Sequence, residues 1–365
     1  EQLGVLMSKQ ESNSPRFISM CLEELRLFSI YEKVLARIES IPETLSELVV
    51  QIIKRLETDC GRNLVQDSLV LIIESRNGMF EKEICEILGV PSSRWLPLWY
   101  ALRPLLRPVI DRRNDPLIEL KSNLVKHAIR TYYDSSNRPY SVKAWNMHLR
   151  CVNYFIDAVT PYDSKVTDDL AKLTREARIP GWAYVSPKSR RGLWVLPHHL
   201  FHSGKVEELV LLVTNLRFLE AKCSAHFVRD IVDDLRLAEL AARDNKSFKS
   251  KGWVKRIEET IRFLQSNRNK FLLYPHHVFQ RALNLPKGNI LAEEAAAFDG
   301  DATRIKIEES LLEKRVHLKW LNKPQSKDPC IAILVGHKAK INSLTFQQNV
   351  ENGANCLIAS TSDDF

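Results

Sequence analysis

Glycine is scarce in this chain, 12 of 365 residues, and from Ser14 to about Leu321 apolar side chains recur at helical spacing. That combination leaves little room for the tight turns of a β-rich fold and predicts a mainly α protein. The clearest stripe is Thr44, Leu45, Leu48, Val49, Ile52, Ile53 and Leu56, and Trp253, Ile257, Ile261 and Leu264 form another. Apolar residues make up 44% of the chain, enough to fill real cores, and the length predicts two to three domains.

The first unit, residues 1–58, reads as a helical subdomain. Ser14-Pro15 is a helix start, with Pro suited to the first turn, and Phe17, Met20, Cys21, Leu25 and Phe28 keep helical spacing behind it. A short helix is predicted over 30–38, and Pro42 opens the next, which Cys60-Gly61 closes. Residues 61–134 have a logic of their own. A helix over 64–74 ends at Arg76-Asn77-Gly78, a short one over 80–88 is capped by Gly89, and Pro91-Ser92-Ser93 opens a third carrying Trp95, Leu98, Leu102 and Leu105. Pro97 and Pro104 are expected to break the ends of that third helix. Two short strands, 107–109 and 117–120, flank a turn at 111–116, and a last helix covers 123–133. Three helices, a two-stranded wing and a closing helix predict a winged helix. Its third helix carries Arg94 and Arg103 but also Trp95, Trp99 and several Leu, which suits packing better than reading a DNA groove.

Residues 139–322 read as an α-helical repeat region, with helices predicted over 142–158, 165–177, 196–202, 206–219, 226–241, 252–265 and 275–283. Leu196-Pro197-His198-His199-Leu200-Phe201 is echoed by Tyr274-Pro275-His276-His277-Val278-Phe279, as in a degenerate stacked repeat. A charged, Ala-rich stretch over 292–314 predicts one more helix. His198 and His202, at i and i+4, face one way as zinc ligands do, but His199 stands where the acid of H-E-x-x-H belongs. These histidines, with His276 and His277, are therefore read as helix-start packing residues, and no metal ligand set is assigned.

The sequence carries neither G-x-x-x-x-G-K-[ST] nor G-x-G-x-x-G, so nothing in it can cradle a triphosphate, and no catalytic residues are assigned. A net charge of +8, from 53 basic and 45 acidic residues, permits contact with nucleic acid without requiring it. The candidate RNA-binding residues are Lys188, Arg190 and Arg191 in one basic cluster and Lys249, Lys251, Lys255 and Arg256 in the other. Seven scattered cysteines without C-x-x-C spacing predict reduced core thiols, as in a cytoplasmic or nuclear protein. No apolar run is long enough to span a bilayer, so no membrane partner is expected.

The character changes over 330–365. After Gly336-His337 comes an alternating strand with Ile341, Leu344 and Phe346 apolar, then a Gly-Asn turn region and a second strand ending in Ser360-Thr361-Ser362-Asp363-Asp364. That is the layout of a partial WD40 propeller blade, and one blade cannot bury its own faces. With Glu1 in place of an initiating Met, this predicts an internal slice of a much larger protein.

The order of helical subdomain, winged helix, helical repeats and propeller blade resembles the NACHT-and-WD-repeat members of the signal-transduction NTPases with numerous domains. Three stretches carry the resemblance to that class and to its telomerase- and vault-associated branch. They are Ser14-Pro15 through Glu32, Leu196 through Gly204, and His317-Leu318-Lys319-Trp320-Leu321-Asn322-Lys323-Pro324. The resemblance implies a NACHT ATPase core upstream, using ATP or ADP with magnesium, while this chain itself holds no cofactor. It implies partners of three kinds: that core and the propeller within the same protein, other proteins through the propeller, and telomerase or vault ribonucleoprotein RNA. The implied role is that of a non-catalytic scaffold and regulatory segment, with an oligomerising signalling switch or a direct RNA-binding module as alternatives. Asn13-Ser14-Pro15-Arg16-Phe17 falls where the class has a Gly-x-Pro turn, and Ser122 where its winged helix offers a histidine to ADP. Ser122 brings one hydrogen bond and no positive charge, which departs from the class.

Overall fold

The computed structural model describes residues 2–26, 28, 30–110, 116–134, 140–159, 187–244, 252–301, 318–321, 323, 340–348 and 356–363. Helices dominate, and the strands form two separate two-stranded sheets. α1 (Gln2–Met7), which no start signal or apolar spacing marks in advance, packs on α3 (Val34–Glu39), and α2 (Pro15–Arg26) packs on α3 and on α4 (Leu45–Cys60). Thr44 caps α4: its Oγ1 accepts from the Glu47 N–H at 3.3 Å and donates to Glu47 Oε2 at 3.0 Å. Leu45, Leu48, Val49, Ile52, Ile53 and Leu56 are all buried, as their spacing requires. Glu24, buried on α2, is held by Arg55 at 2.7 Å and Arg37 at 3.4 Å.

α5 (Arg62–Glu74) follows at once and is buried on nearly every side, from Leu64 through Ile73. A helix apolar all round belongs inside, and α5 touches α4, α9 (Tyr140–Val159) and β2 (Pro116–Leu120). α6 (Glu81–Leu88) ends at Gly89 in the left-handed region, and α7 (Ser92–Leu102) runs into a 3-10 turn at Arg103–Leu105. Pro97 lies inside α7 rather than at its end, which corrects the expectation. The buried Trp95, Leu98 and Leu102 hold the helix across it. β1 (Leu106–Ile110) pairs antiparallel with β2 in the register Leu106↔Leu120 to Ile110↔Pro116, and α8 (Asn123–Asp134) follows. On the other side of β2, Met79 forms an isolated bridge with Ile118, with N–H to O distances of 3.0 and 2.7 Å. Gly78, at φ +84°, makes that approach possible, because a Cβ there would sit 2.8 Å from the Ile118 carbonyl oxygen.

Beyond α9 come α10 (Pro187–His202), α11 (Val206–Val213), α12 (Leu216–Ser224), α13 (Val228–Asp244), α14 (Trp253–Leu273), α15 (His277–Leu283) and α16 (Ile290–Asp301). Sequence neighbours pack together, α9 on α10, α13 on α14 and α15 on α16. Three helix expectations need correction. The helix expected over 206–219 is two, because the Asn215 side chain accepts from the N–H groups of Arg217 and Phe218 and starts a new helix. The one expected to end at 265 continues to Leu273, its end pinned by the buried Phe271. The one expected over 196–202 begins at Pro187 and runs through Pro197. His198 and His199 therefore close a long helix, whereas His276 and His277 stand at the start of the short α15. The two echoed segments are not structurally equivalent. The helix expected over 165–177 lies outside the described residues.

One apolar core runs from Leu6 to Ala295 and includes residues of every helix from α1 to α16. Past α16, the backbone of Leu318 to Trp320 is gripped by two side-chain amides, Gln280 in α15 and Asn284 at its C-terminal cap. Gln280 and Asn284 donate to the Leu318 carbonyl oxygen (2.5 and 2.9 Å) and accept from the Leu318 and Trp320 N–H groups (2.8 Å each). β3 (Ile341–Gln348) and β4 (Cys356–Ser362) pair antiparallel with a bulge at Ile341/Ser343, and Ile341, Leu344 and Ile358 are exposed. Among the described residues no helix is long and apolar enough to cross a membrane.

Candidate functional site

α10 is the hub of the molecule, touching α9, α11, α12 and α13. Its positions 191, 195, 198 and 202 recur at helical spacing and lie along one stripe. At the N-terminal end of that stripe Arg191, 5% exposed, makes a two-pronged pair with Glu83, Nε to Oε1 at 2.9 Å and Nη2 to Oε2 at 3.1 Å. Its Nη2 also donates to the Gly78 carbonyl oxygen at 2.9 Å, and its guanidinium lies 5.3 Å from the ring centroids of Phe80 and Trp194. One turn on, Arg76 donates to the Trp194 carbonyl oxygen (3.1 Å) and to Asp234 (2.5 Å), and Asp234 also binds the buried Lys222. Burial pushes the Lys222 ammonium below its ordinary pKa, against the pull of Asp234.

At the C-terminal end of the stripe four histidines meet. His148 comes from α9, and His198, His199 and His202 from α10, while Glu74 ends α5 beside them. His148 Nδ1 lies 2.9 Å from His199 Nδ1, and His148 Nε2 lies 3.4 Å from Glu74 Oε2. His198 Nε2 lies 3.2 Å from the Glu74 carbonyl oxygen. His202 stacks on His148 with centroids 5.0 Å apart and meets His198 edge-on at 4.4 Å. His148 and His199 are 3% and 2% exposed. Burial, then the neighbouring rings, pushes His198 down to about 3 and His199 well below the ordinary imidazole value. Burial also lowers His202. The sequence signal for H-H-x-x-H was visible, but His148 and Glu74 were missed. A single histidine on an apolar helix and a glutamate at a helix end carry no spacing signal until the fold brings them together.

Of the residues expected to bind RNA, the described ones have different surroundings. Arg191 is a correction, since it is buried and engaged by Glu83 and Gly78. Arg256 is half-buried, its Nε donating to Thr214 Oγ1 at 2.9 Å and its Nη2 to Glu294 at 2.6 Å. Arg190 lies over the Phe227 ring, with Nη2 3.4 Å from the Ala225 carbonyl oxygen. Lys255 is exposed, Lys188 sits in the first turn of α10, and Lys249 and Lys251 lie outside the described residues. Ser122 caps α8, accepting from the Val125 N–H at 3.3 Å, so its hydroxyl serves the helix. It does share a cavity of about 300 Å³ with Pro15, Arg16, Pro104 and Lys121, so the two positions singled out by the family resemblance are neighbours in space. Cys21, Cys151 and Cys223 are buried, and burial pushes each thiol up, Cys21 to about 11 and Cys223 to about 12.

The chain thus combines a helical body that has a polar junction at its centre with an antiparallel β-hairpin later in the sequence. Comparison with known proteins points to those that combine NACHT and WD-repeat modules. The chain is 24% identical over 258 residues to NACHT domain- and WD repeat-containing protein 1 of Homo sapiens, covering 63% of this chain and 16% of that protein. It is similar over more of its length to telomerase protein component 1. The rat protein is 24% identical over 353 residues and the mouse protein 23% over 381, covering 89% and 97% of this chain. The chain spans 12% and 13% of the length of those two relatives. No family model and no solved structure matches it.

Proposed function

We propose that this chain is a non-catalytic regulatory and scaffold segment of a large protein of the NACHT and WD-repeat kind, akin to telomerase protein component 1. The junction around α10 carries the reading. Arg191–Glu83, Arg76–Asp234–Lys222 and the histidine cluster tie the helices before residue 134 to those after 140, making one body suited to positioning modules at its two ends. Under this reading residues 61–134 are a winged helix, supported by the element order and by Met79 pairing with β2 as a third, one-residue strand. Residues 139–322 are the helical repeats. Residues 330–365 begin a WD40 propeller, supported by the antiparallel hairpin whose Leu344 and Ile358 are left exposed for neighbouring blades to cover.

The ATPase core of such a protein, with its ATP or ADP and magnesium, would abut the cavity lined by Pro15, Arg16, Lys121 and Ser122. There Arg16 and Lys121 would face the phosphate charge, and the nucleotide's hydrolysis would supply the free energy for switching. The propeller would bind protein partners, and the whole would serve a ribonucleoprotein in the cytoplasm or nucleus. The test is direct. The purified chain should neither bind ATP in calorimetric titration nor release phosphate from it, and measurable turnover would overturn the reading. The similarity to the human NACHT and WD-repeat protein favours a second reading, a signalling switch with no link to telomerase. Association of the longer protein with telomerase RNA in a pull-down separates the two.

A further inference from the structure

We propose that His148, His198 and His199 bind a first-row divalent transition metal of the zinc type, which clasps α9 and α10 against the end of α5. Among the described residues these three offer ligand nitrogens all within 4.8 Å of one another. Nitrogens bound to one zinc ion at about 2.0–2.1 Å stand about 3.3 Å apart, close to the 2.9 Å between His148 Nδ1 and His199 Nδ1.

The hydrogen bonds around the rings give the second, independent argument. A carbonyl oxygen can only accept, so the His198 Nε2 contact with the Glu74 carbonyl oxygen places the proton on Nε2 and leaves the Nδ1 lone pair free. The Glu74 carboxylate does the same for His148, whose Nε2 it faces, leaving the lone pair on Nδ1. A ring N–H held by a carboxylate or a backbone carbonyl, with the other nitrogen free, is the outer arrangement typical of metal-bound histidines. Without a metal, the His148 Nδ1 lone pair accepts from a His199 Nδ1–H across the 2.9 Å contact, and metal binding would displace that one proton.

The electrostatics allow a cation. The guanidiniums that face the rings are each paired with a carboxylate: Arg76 with Asp234, Arg130 with Glu74 and Arg191 with Glu83. Glu74 keeps its Oε2 toward His148 while Oε1 takes Arg130. Imidazole donors select zinc, copper, nickel or iron over magnesium and calcium. His202, stacked over His148 at the exposed side, stands at the mouth of the site.

The test uses the untagged 365-residue chain, stripped with a chelator and then titrated with Zn²⁺ alone and with Co²⁺ alone. The expected result is one ion per chain, with the visible absorption of low-symmetry Co²⁺ and a rise in melting temperature on zinc addition. Replacing the half-buried His198 in His198→Asn should weaken zinc binding more than 100-fold. Glu74→Gln, which touches the outer arrangement only, should weaken it about 10- to 100-fold. His148→Gln is a further variant, and because it is buried the wild-type titration stands independently of whether it folds. Absence of stoichiometric metal on the wild-type chain, or unchanged affinity in His198→Asn, overturns the assignment.

Discussion

Replacing Arg191 with methionine tests whether the buried pair at the centre of the molecule holds its two halves together. The guanidinium makes three charge-assisted hydrogen bonds, two to Glu83 and one to the Gly78 carbonyl oxygen, with both side chains almost wholly excluded from water. Methionine fills much the same volume but leaves the Glu83 carboxylate buried with the Phe80 N–H (3.0 Å) as its remaining partner. Breaking a buried pair from one side costs about 3–5 kcal/mol, because the stranded charge keeps its desolvation penalty. The double variant Arg191→Met with Glu83→Gln removes that charge and keeps the Phe80 bond, so it should recover about 2–3 kcal/mol relative to the sum of the single changes. Equilibrium urea unfolding, followed by far-ultraviolet circular dichroism and by fluorescence of the adjacent Trp194, measures all three variants. A single-variant cost below about 1 kcal/mol, or strict additivity in the cycle, would refute the reasoning, since both require a pair already solvated.

Three further outcomes are expected. Leu48→Ala, at a fully buried position of α4, should cost about 2–5 kcal/mol in the same unfolding experiment, and a cost under about 1 kcal/mol would contradict the packing. Gly89→Ala, at φ +67° with open space around it, should cost about 1–2 kcal/mol. Gly78→Ala, whose Cβ would meet the Ile118 carbonyl at 2.8 Å, should cost at least about 1 kcal/mol more, and equal costs would show that the approach of Met79 to β2 is not tight. For Glu119, burial raises the carboxyl pKa, but hydrogen bonds from Lys126 and Arg107 and their charge outweigh it and hold the group below the ordinary 4.5. A depressed carboxyl stabilises the fold above its unfolded pKa and loses that contribution as pH falls. The stability gap between wild type and Glu119→Gln should therefore shrink below pH 4.5, and a gap that widens toward acid would sink the assignment.

What the sequence made legible was governed by local rules. The stripe of α4, the Gly89 stop and the two strands β1 and β2 all follow from spacing and turn chemistry within a few residues, whereas Thr44, read as part of the stripe, is the cap of α4. What it hid depended on distant partners. Pro197 looks like a helix breaker, yet α10 continues through it, pressed against α9 and bonded by Arg76 at the Trp194 carbonyl. Arg191 belonged to a basic run that reads as solvated, although it shares the helical stripe of positions 195, 198 and 202, a periodicity that could have marked it as inward. The histidine cluster could be half-read from H-H-x-x-H, because its remaining members, His148 and Glu74, arrive from helices brought near only by the packing of α5, α9 and α10. The break at Asn215 went unread because the apolar pattern runs on without interruption and one capping amide decides the matter.

Gln280 and Asn284 have a mechanical consequence. Because they hold main-chain groups of Leu318 and Trp320, the grip fixes the register of this short segment whatever side chains it bears. Trp320, 56% exposed, is left free for other surfaces. Tension applied at residues 318–320 would be shared among four hydrogen bonds before reaching α15. A change of side chain at Leu318, Lys319 or Trp320 therefore leaves that attachment to the helical body in place.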